Sequence, residues 1–141
     1  MRKGVIISLA IAAVVSMFWT GFPAVAKDMT AEDLVNQAKQ EICEVSVSEA
    51  KALFDEGGLD CRTQKEYKMG HIPGAMNIPR GLLEFKIGKK IEDKHTPIVI
   101  YCKKGSRGCL ATCTLCRMGY TNVKNLAGGW LAWEKAVYPV E

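Results

Sequence analysis

Residues 97–101, Pro-Ile-Val-Ile-Tyr, form an uninterrupted apolar run that leads directly into Cys102 and the polar stretch Lys-Lys-Gly-Ser-Arg. A short apolar run without polar alternation is the pattern of a strand covered on both faces. The chain therefore has to build a sheet with helices above and below it. Thr30 with Asp33 resembles a capping box that opens a helix reaching about Ile42. Residues 43–47 read as a short strand, and Ser48 as the cap of a helix over 49–54 that Gly57 and Gly58 close. Further strands are expected at 59–61, 75–78 and 123–126, and helical segments at 64–69, 82–87, 107–118 and 130–136. This alternation predicts an α/β fold, a mainly parallel central sheet flanked by helices on both faces.

The first residues stand outside that pattern. Arg2 and Lys3 precede an almost unbroken apolar run over 5–19, and Ala24-Val25-Ala26 offers small residues where signal peptidase requires them. The layout is that of a secretory signal peptide cleaved after Ala26. The run is short for an uncleaved membrane span of ~20 residues. The expected organisation is 1–26 signal peptide, 27–44 N-terminal helical extension and 45–141 a single domain. Cleavage leaves 141 − 26 = 115 residues and, with Arg2 and Lys3 gone, takes the formal net charge from +4 to +2. So small a charge argues against nucleic-acid binding. No stable membrane association is expected after cleavage.

The strand at 97–101 delivers Cys102 to its carboxyl end, the edge at which open parallel sheets bind ligands. Loop amides and the start of the next helix direct positive potential at the sulfur. Lys103, Lys104 and Arg107 add formal charge. This setting lowers a thiol pKa, supplies a thiolate nucleophile near neutral pH and suits anionic substrates. Gly105 lets the backbone turn tightly around the sulfur. The plainer reading, a small buried core cysteine, fits the cationic loop less well. Asp60 and Arg62, two apart on a strand, share a face and are expected to form a supporting ion pair. His71 is expected to make structural hydrogen bonds, with a general-base role the lesser reading, and His95 to lie in a solvated loop.

The loop Cys102-Lys103-Lys104-Gly105-Ser106-Arg107 resembles the active-site loop of rhodanese-like domains. Other segments agree with that family in order and spacing: Leu59-Asp60-Cys61-Arg62 with Glu66-Tyr67, Gly70-His71-Ile72-Pro73-Gly74-Ala75-Met76-Asn77-Ile78-Pro79, Gly119-Tyr120-Thr121-Asn122-Val123, and Leu126-Ala127-Gly128-Gly129-Trp130-Leu131-Ala132-Trp133. With the export signal, the chain is similar to the small periplasmic rhodaneses of the phage-shock response. The resemblance implies a sulfurtransferase. Cys102 would take the outer sulfur of a small anionic donor such as thiosulfate, release sulfite and pass the sulfur from its persulfide to cyanide or a thiol. Amides of residues 103–107 would cradle the persulfide, Lys104 would face the substrate, and Arg107 would pin the loop or attract the donor. No metal and no organic cofactor is required. Two features depart from the family: the strand before Asp60 is very short, and Glu66 stands where two-domain thiosulfate enzymes carry a substrate-binding arginine.

Six cysteines in an exported chain raise the alternative of a disulfide framework. Cys109, Cys113 and Cys116 lie at i, i+4 and i+7 of one helix. Cys113-x-x-Cys116 falls near the helix C-terminus, where the dipole opposes a thiolate. Cys109 and Cys113 are expected to face the sheet as core residues and Cys116 to be exposed. A zinc site lacks a histidine at the usual spacing. Cys43 has no partner that the sequence identifies. Cys61 and Cys109 are secondary candidates for resolving a Cys102 persulfide. Two rival functions remain. One is a thiol-redox or persulfide-carrier module without thiosulfate turnover. The other is a Cdc25-type phosphatase, whose loop is C-x5-R where this chain has C-x4-R.

Overall fold

A computed structural model describes residues 28–55 and 58–141; the expected signal peptide lies outside them. In chain order the elements are α1 (Ala31–Glu41), β1 (Cys43–Val45), α2 (Val47–Leu53), β2 (Gly58–Asp60), α3 (Gln64–Lys68), β3 (Met76–Asn77), α4 (Leu83–Lys90), β4 (Ile98–Tyr101), α5 (Ser106–Arg117), β5 (Val123–Leu126) and α6 (Gly129–Lys135). The five strands are all parallel in the order β1-β5-β4-β2-β3. The apolar run at 98–101 is the central strand, and all four of its residues are buried.

Alternation along β4 divides the core. Ile98 and Ile100 join Leu59, Leu83, Ile87, Ala111 and Leu115 on the face covered by α4 and α5. Val99 and Tyr101 join Phe54, Ile72, Trp130 and Trp133 on the opposite face. Burying each large aliphatic side chain contributes roughly 1.5–3 kcal/mol, so the two layers hold the carboxyl ends of β4 and β2 in fixed register. Among the described residues no helix is long and apolar enough to cross a membrane.

The short β2 is accommodated by Gly58. A Cβ there would overlap the Phe54 ring, so the glycine lets the end of α2 close directly onto the strand. All three β2 residues are buried between β3 and β4. The sheet begins at Cys43, because β1 pairs with β5 from Cys43↔Lys124 onward.

Two local expectations are corrected. Ser46, not Ser48, caps α2: its Oγ accepts the Glu49 N–H at 3.3 Å, and the Glu49 carboxylate accepts the Ser46 N–H at 2.8 Å. The Ser-x-x-Glu spacing puts the acid at the third helical position, where it can reach back. Cys113 packs under α1 with Ala38 instead of facing the sheet, whereas Cys109, in the same cluster, does meet the sheet as expected. Cys113 Sγ lies 3.4 Å from Glu41 Oε2, and Cys109 Sγ stands between Glu44 and Asn125 of β5. Ala111 and Leu115 supply most of the face of α5 that meets the sheet, leaving Cys113 for the N-terminal helix. Cys116 is exposed, and the six cysteines carry no disulfide.

Candidate active site

β4 ends at Tyr101 and α5 starts at Ser106, so residues 102–105 must turn within one short loop. Gly105 makes that turn at φ +102°, a backbone conformation costly to any other L-residue. Its N–H donates to Cys102 Sγ at 3.1 Å. The start of α6 takes up the loop's carbonyls: Trp130 N–H donates to Cys102 O at 2.7 Å, and Leu131 N–H to Lys103 O at 3.1 Å. With those carbonyls bound on one side, the loop amides turn inward.

The electrostatic consequence falls on Cys102. The neighbouring Cys61 thiol acts most strongly. Burial opposes the charge, and the amides of Gly108, Gly105 and Lys104 favour it. The result brings the Cys102 thiol down to about 5, against ~8.5 for a free cysteine. A buried thiolate held by inward amides is a ready nucleophile. The Cys102 sulfur beside it, with burial, pushes the Cys61 thiol far above the ordinary range.

The cations of the loop divide. Lys103 and Lys104 are exposed, as is Ser106. Arg107 is turned to Glu66, its Nη1 and Nη2 donating to Oε2 at 3.1 Å and Oε1 at 2.8 Å. Arg107 first, with the Thr63 N–H and hydroxyl, draws the Glu66 carboxyl down to about 2 against a smaller opposing effect of burial. Asp60 and Arg62 do pair: Nε donates to both carboxylate oxygens at 3.0 and 2.9 Å, and Nη2 to Oδ2 at 2.6 Å and Gly70 O at 2.7 Å. The guanidinium also lies 4.5 Å from the Trp130 ring centre. Arg62 therefore ties the end of β2 to α6, the element that holds the Cys102 carbonyl.

His71 stacks on Tyr67 at 3.8 Å, with Nδ1 3.2 Å from Tyr67 O and Nε2 3.3 Å from the Glu141 carboxylate. His95 is exposed beside Thr121 Oγ1 at 2.9 Å. A cleft of about 330 Å³ is bounded by Arg62, Glu66, Lys103 and Trp130. Cys102 itself is 1 % exposed and forms no part of that lining.

Three residues take parts at the site that the sequence does not assign them. Gly108 contributes an amide from beyond the expected 103–107 stretch. Gly129 packs without a side chain against the loop backbone; the Gly128-Gly129 pair signalled close approach but not its target. Cys61 is the strongest single influence on Cys102. Its signal was the pair of strand ends, Leu59-Asp60-Cys61 and Ile100-Tyr101-Cys102, which become neighbours once β2 and β4 are known to pair in parallel.

The chain matches the Rhodanese-like domain over residues 46–136. It is 34% identical over 115 residues to thiosulfate sulfurtransferase 18 of Arabidopsis thaliana, across 72% of this chain and 85% of that protein. It is also 34% identical over 70 residues to thiosulfate sulfurtransferase PspE of Escherichia coli, across 50% of this chain and 67% of that one. Among solved structures, a protein of unknown function from Rhodopseudomonas palustris, described as a possible tyrosine phosphatase, aligns with a TM-score of 0.75 and 28% identity. That alignment covers 86% of this chain and 100% of the other.

Proposed function

The chain belongs to the rhodanese-like domain family, and from that premise we propose that it is a sulfurtransferase moving sulfane sulfur from thiosulfate, or a similar anionic donor, to a thiol or cyanide through a Cys102 persulfide. The observation that carries this reading is the buried Cys102 sulfur facing the Gly105 N–H at 3.1 Å with its thiol drawn down to about 5. The thiolate attacks the outer sulfur of thiosulfate, the donor's S–S bond breaks, and sulfite leaves with the bonding pair. The new terminal sulfur carries the negative charge. The amides of Gly108, Gly105 and Lys104, already directed at an anion, stabilise it. An acceptor thiolate or cyanide then attacks that terminal sulfur and returns Cys102 to the thiolate. Lys103 and Lys104, exposed on the loop, draw the anionic donor in.

A phosphatase is the competing reading, favoured by the description of the R. palustris relative. Only four residues separate Cys102 from Arg107, and Arg107 is already engaged by Glu66. A phosphoryl group needs donors on three oxygens, whereas a sulfane sulfur needs room for one atom. Thiocyanate formation from thiosulfate and cyanide, with one added sulfur on the protein mass that Cys102→Ser abolishes, is the expected result. Turnover of aryl phosphate without sulfite release from thiosulfate would overturn it.

We further propose export to the periplasm with cleavage after Ala26, on the charged n-region, the apolar run and the Ala-Val-Ala site. N-terminal sequencing of the protein from a cell fraction is expected to begin at Lys27. A start at Met1 in the cytoplasmic fraction would refute it.

A further inference from the structure

Cys61 and Cys102 occupy matched positions at the carboxyl ends of two neighbouring strands. Leu59 pairs with Ile100 and Asp60 with Tyr101 in the parallel β2–β4 ladder. The Cys61 N–H donates to Tyr101 O at 2.9 Å, which carries the pairing one residue further. Leu59, Cys61, Ile100 and Cys102 all belong to one core layer, so the two thiols project to the same side of the sheet. Paired strands lie ~4.8 Å apart, within the ~4.4–6.8 Å Cα separation of disulfide-bonded cysteines. Each residue is 1 % exposed, and Cys61 is the neighbour that acts most strongly on the Cys102 thiol.

We infer that Cys61 is a built-in resolving thiol, which attacks the Cys102 persulfide when no outside acceptor arrives, expelling hydrosulfide and leaving a Cys61–Cys102 disulfide. The inference rests on the sulfur-transfer reading above. The bond formed joins Cys61 Sγ to Cys102 Sγ. The bond broken joins Cys102 Sγ to the terminal sulfur, which departs with the bonding pair. The Cys61 proton goes to that leaving sulfur, so a persulfide anion and a thiol become a disulfide and a hydrosulfide anion. The sulfane sulfur is reduced and the two thiols are oxidised, with no other oxidant required.

The arrangement also sets the order of events. While Cys102 is a thiolate, its negative charge holds the proton on Cys61 and the pair is quiescent. Loading moves the negative charge to the outer sulfur, among the loop amides, and removes that restraint. Burial shields both sulfurs from bulky thiols, whereas an adjacent group reacts with the advantage of proximity. Cys109 is less well placed to resolve the persulfide, because it packs with Cys113 and Ala38 and not in the core layer that holds Cys102, and its sulfur accepts from Asn125. The disulfide state is then a resting form that a small dithiol reductant must reopen.

The test uses the reduced full chain, incubated with thiosulfate and no acceptor, then alkylated and weighed intact, with sulfide assayed in the supernatant. Wild type is expected to lose two hydrogens, yield a crosslinked peptide joining Cys61 to Cys102, and release sulfide in equal amount to protein. Cys61→Ala and Cys61→Ser are each expected to retain one added sulfur and release none. Two variants guard against a packing defect in either one. A wild type that keeps its added sulfur with no crosslink overturns the resolving role and leaves sulfur transfer standing. A wild type that shows no added sulfur, no crosslink and no released sulfide overturns the sulfur-transfer reading itself.

Discussion

Arg107 of α5 grips Glu66 of α3 through two hydrogen bonds, 3.1 and 2.8 Å long, so one of the three loop cations is already neutralised before any donor arrives. Both side chains are partly exposed, 39% and 29%, which limits the pair to ~0.2–1 kcal/mol. Glu66→Gln keeps an oxygen for the Thr63 N–H at the cap of α3 but discharges the partner of Arg107. The expected outcome is a KM for thiosulfate lowered by up to about fivefold with little change in kcat, the upper end of that range of energy. The gain should shrink in high salt. Steady-state kinetics at two ionic strengths check this; an unchanged KM would assign Arg107 to pinning the loop alone.

The Cys102 thiol, brought down to about 5 by Cys61 and the amides of Gly108, Gly105 and Lys104, fixes a pH profile. Below that value the sulfur is protonated and unreactive; above it the thiolate fraction rises to saturation before neutrality. Alkylation of Cys102 should therefore follow a single titration with its midpoint near 5, where a free thiol turns near ~8.5. Cys61→Ala removes the largest favourable contribution and should move the midpoint upward, toward the ordinary value. The measurement is the rate of iodoacetamide labelling at Cys102 between acid and neutral pH. A midpoint near the free-thiol value in wild type would mean that the amides and Cys61 do not hold an anion.

The readable part of this protein was its periodicity. Ile98 to Tyr101, with no polar residue, could be nothing but a central strand, and the Gly105 turn after Cys102 followed from the residues themselves. Two kinds of feature stayed hidden. Local competition between capping residues was one: Ser46 and Ser48 are both good caps, and only the reach of Glu49 back to Ser46 decides between them. Contacts created by strand order were the other. Cys61 lies 41 residues before Cys102 in sequence, and its influence exists only because β2 pairs with β4. The stripe of Cys109 and Cys113 read correctly as buried, but which element covered it depended on where α1 docks.

Asp60 and Arg62 form an ion pair whose side chains are 0% and 4% exposed. Removing one member of such a pair strands a buried charge, a loss of roughly 3–5 kcal/mol. Asp60→Asn preserves shape and is expected to destabilise the fold by about that amount, measured by urea unfolding. Adding Arg62→Met removes the stranded cation and should restore part of the loss, since the two residues are directly coupled. Simple additivity of the two single effects would mean that the pair is not the source of the instability.

Gly129 offers the sharpest separation between loop geometry and general stability. It sits at φ +60°, and a Cβ there would strike Cys102 O and come within 2.9 Å of Gly105 N and 3.0 Å of Lys103 O. All three contacts are backbone, so no flexible side chain can move aside. The loop must shift, and with it the amides that face the sulfur. Gly129→Ala is therefore expected to lower kcat/KM at least about tenfold, the effect of ~1.4 kcal/mol lost at the site, and to raise the Cys102 alkylation midpoint. Gly74 is the control: its φ is +76°, yet nothing lies within 4 Å of an added Cβ. Gly74→Ala should carry only the left-handed backbone penalty of roughly 1–2 kcal/mol, seen as a lower Tm with the alkylation profile intact. If both variants lose stability alike and neither shifts the midpoint, the packing of Gly129 against the loop has no part in holding the thiolate.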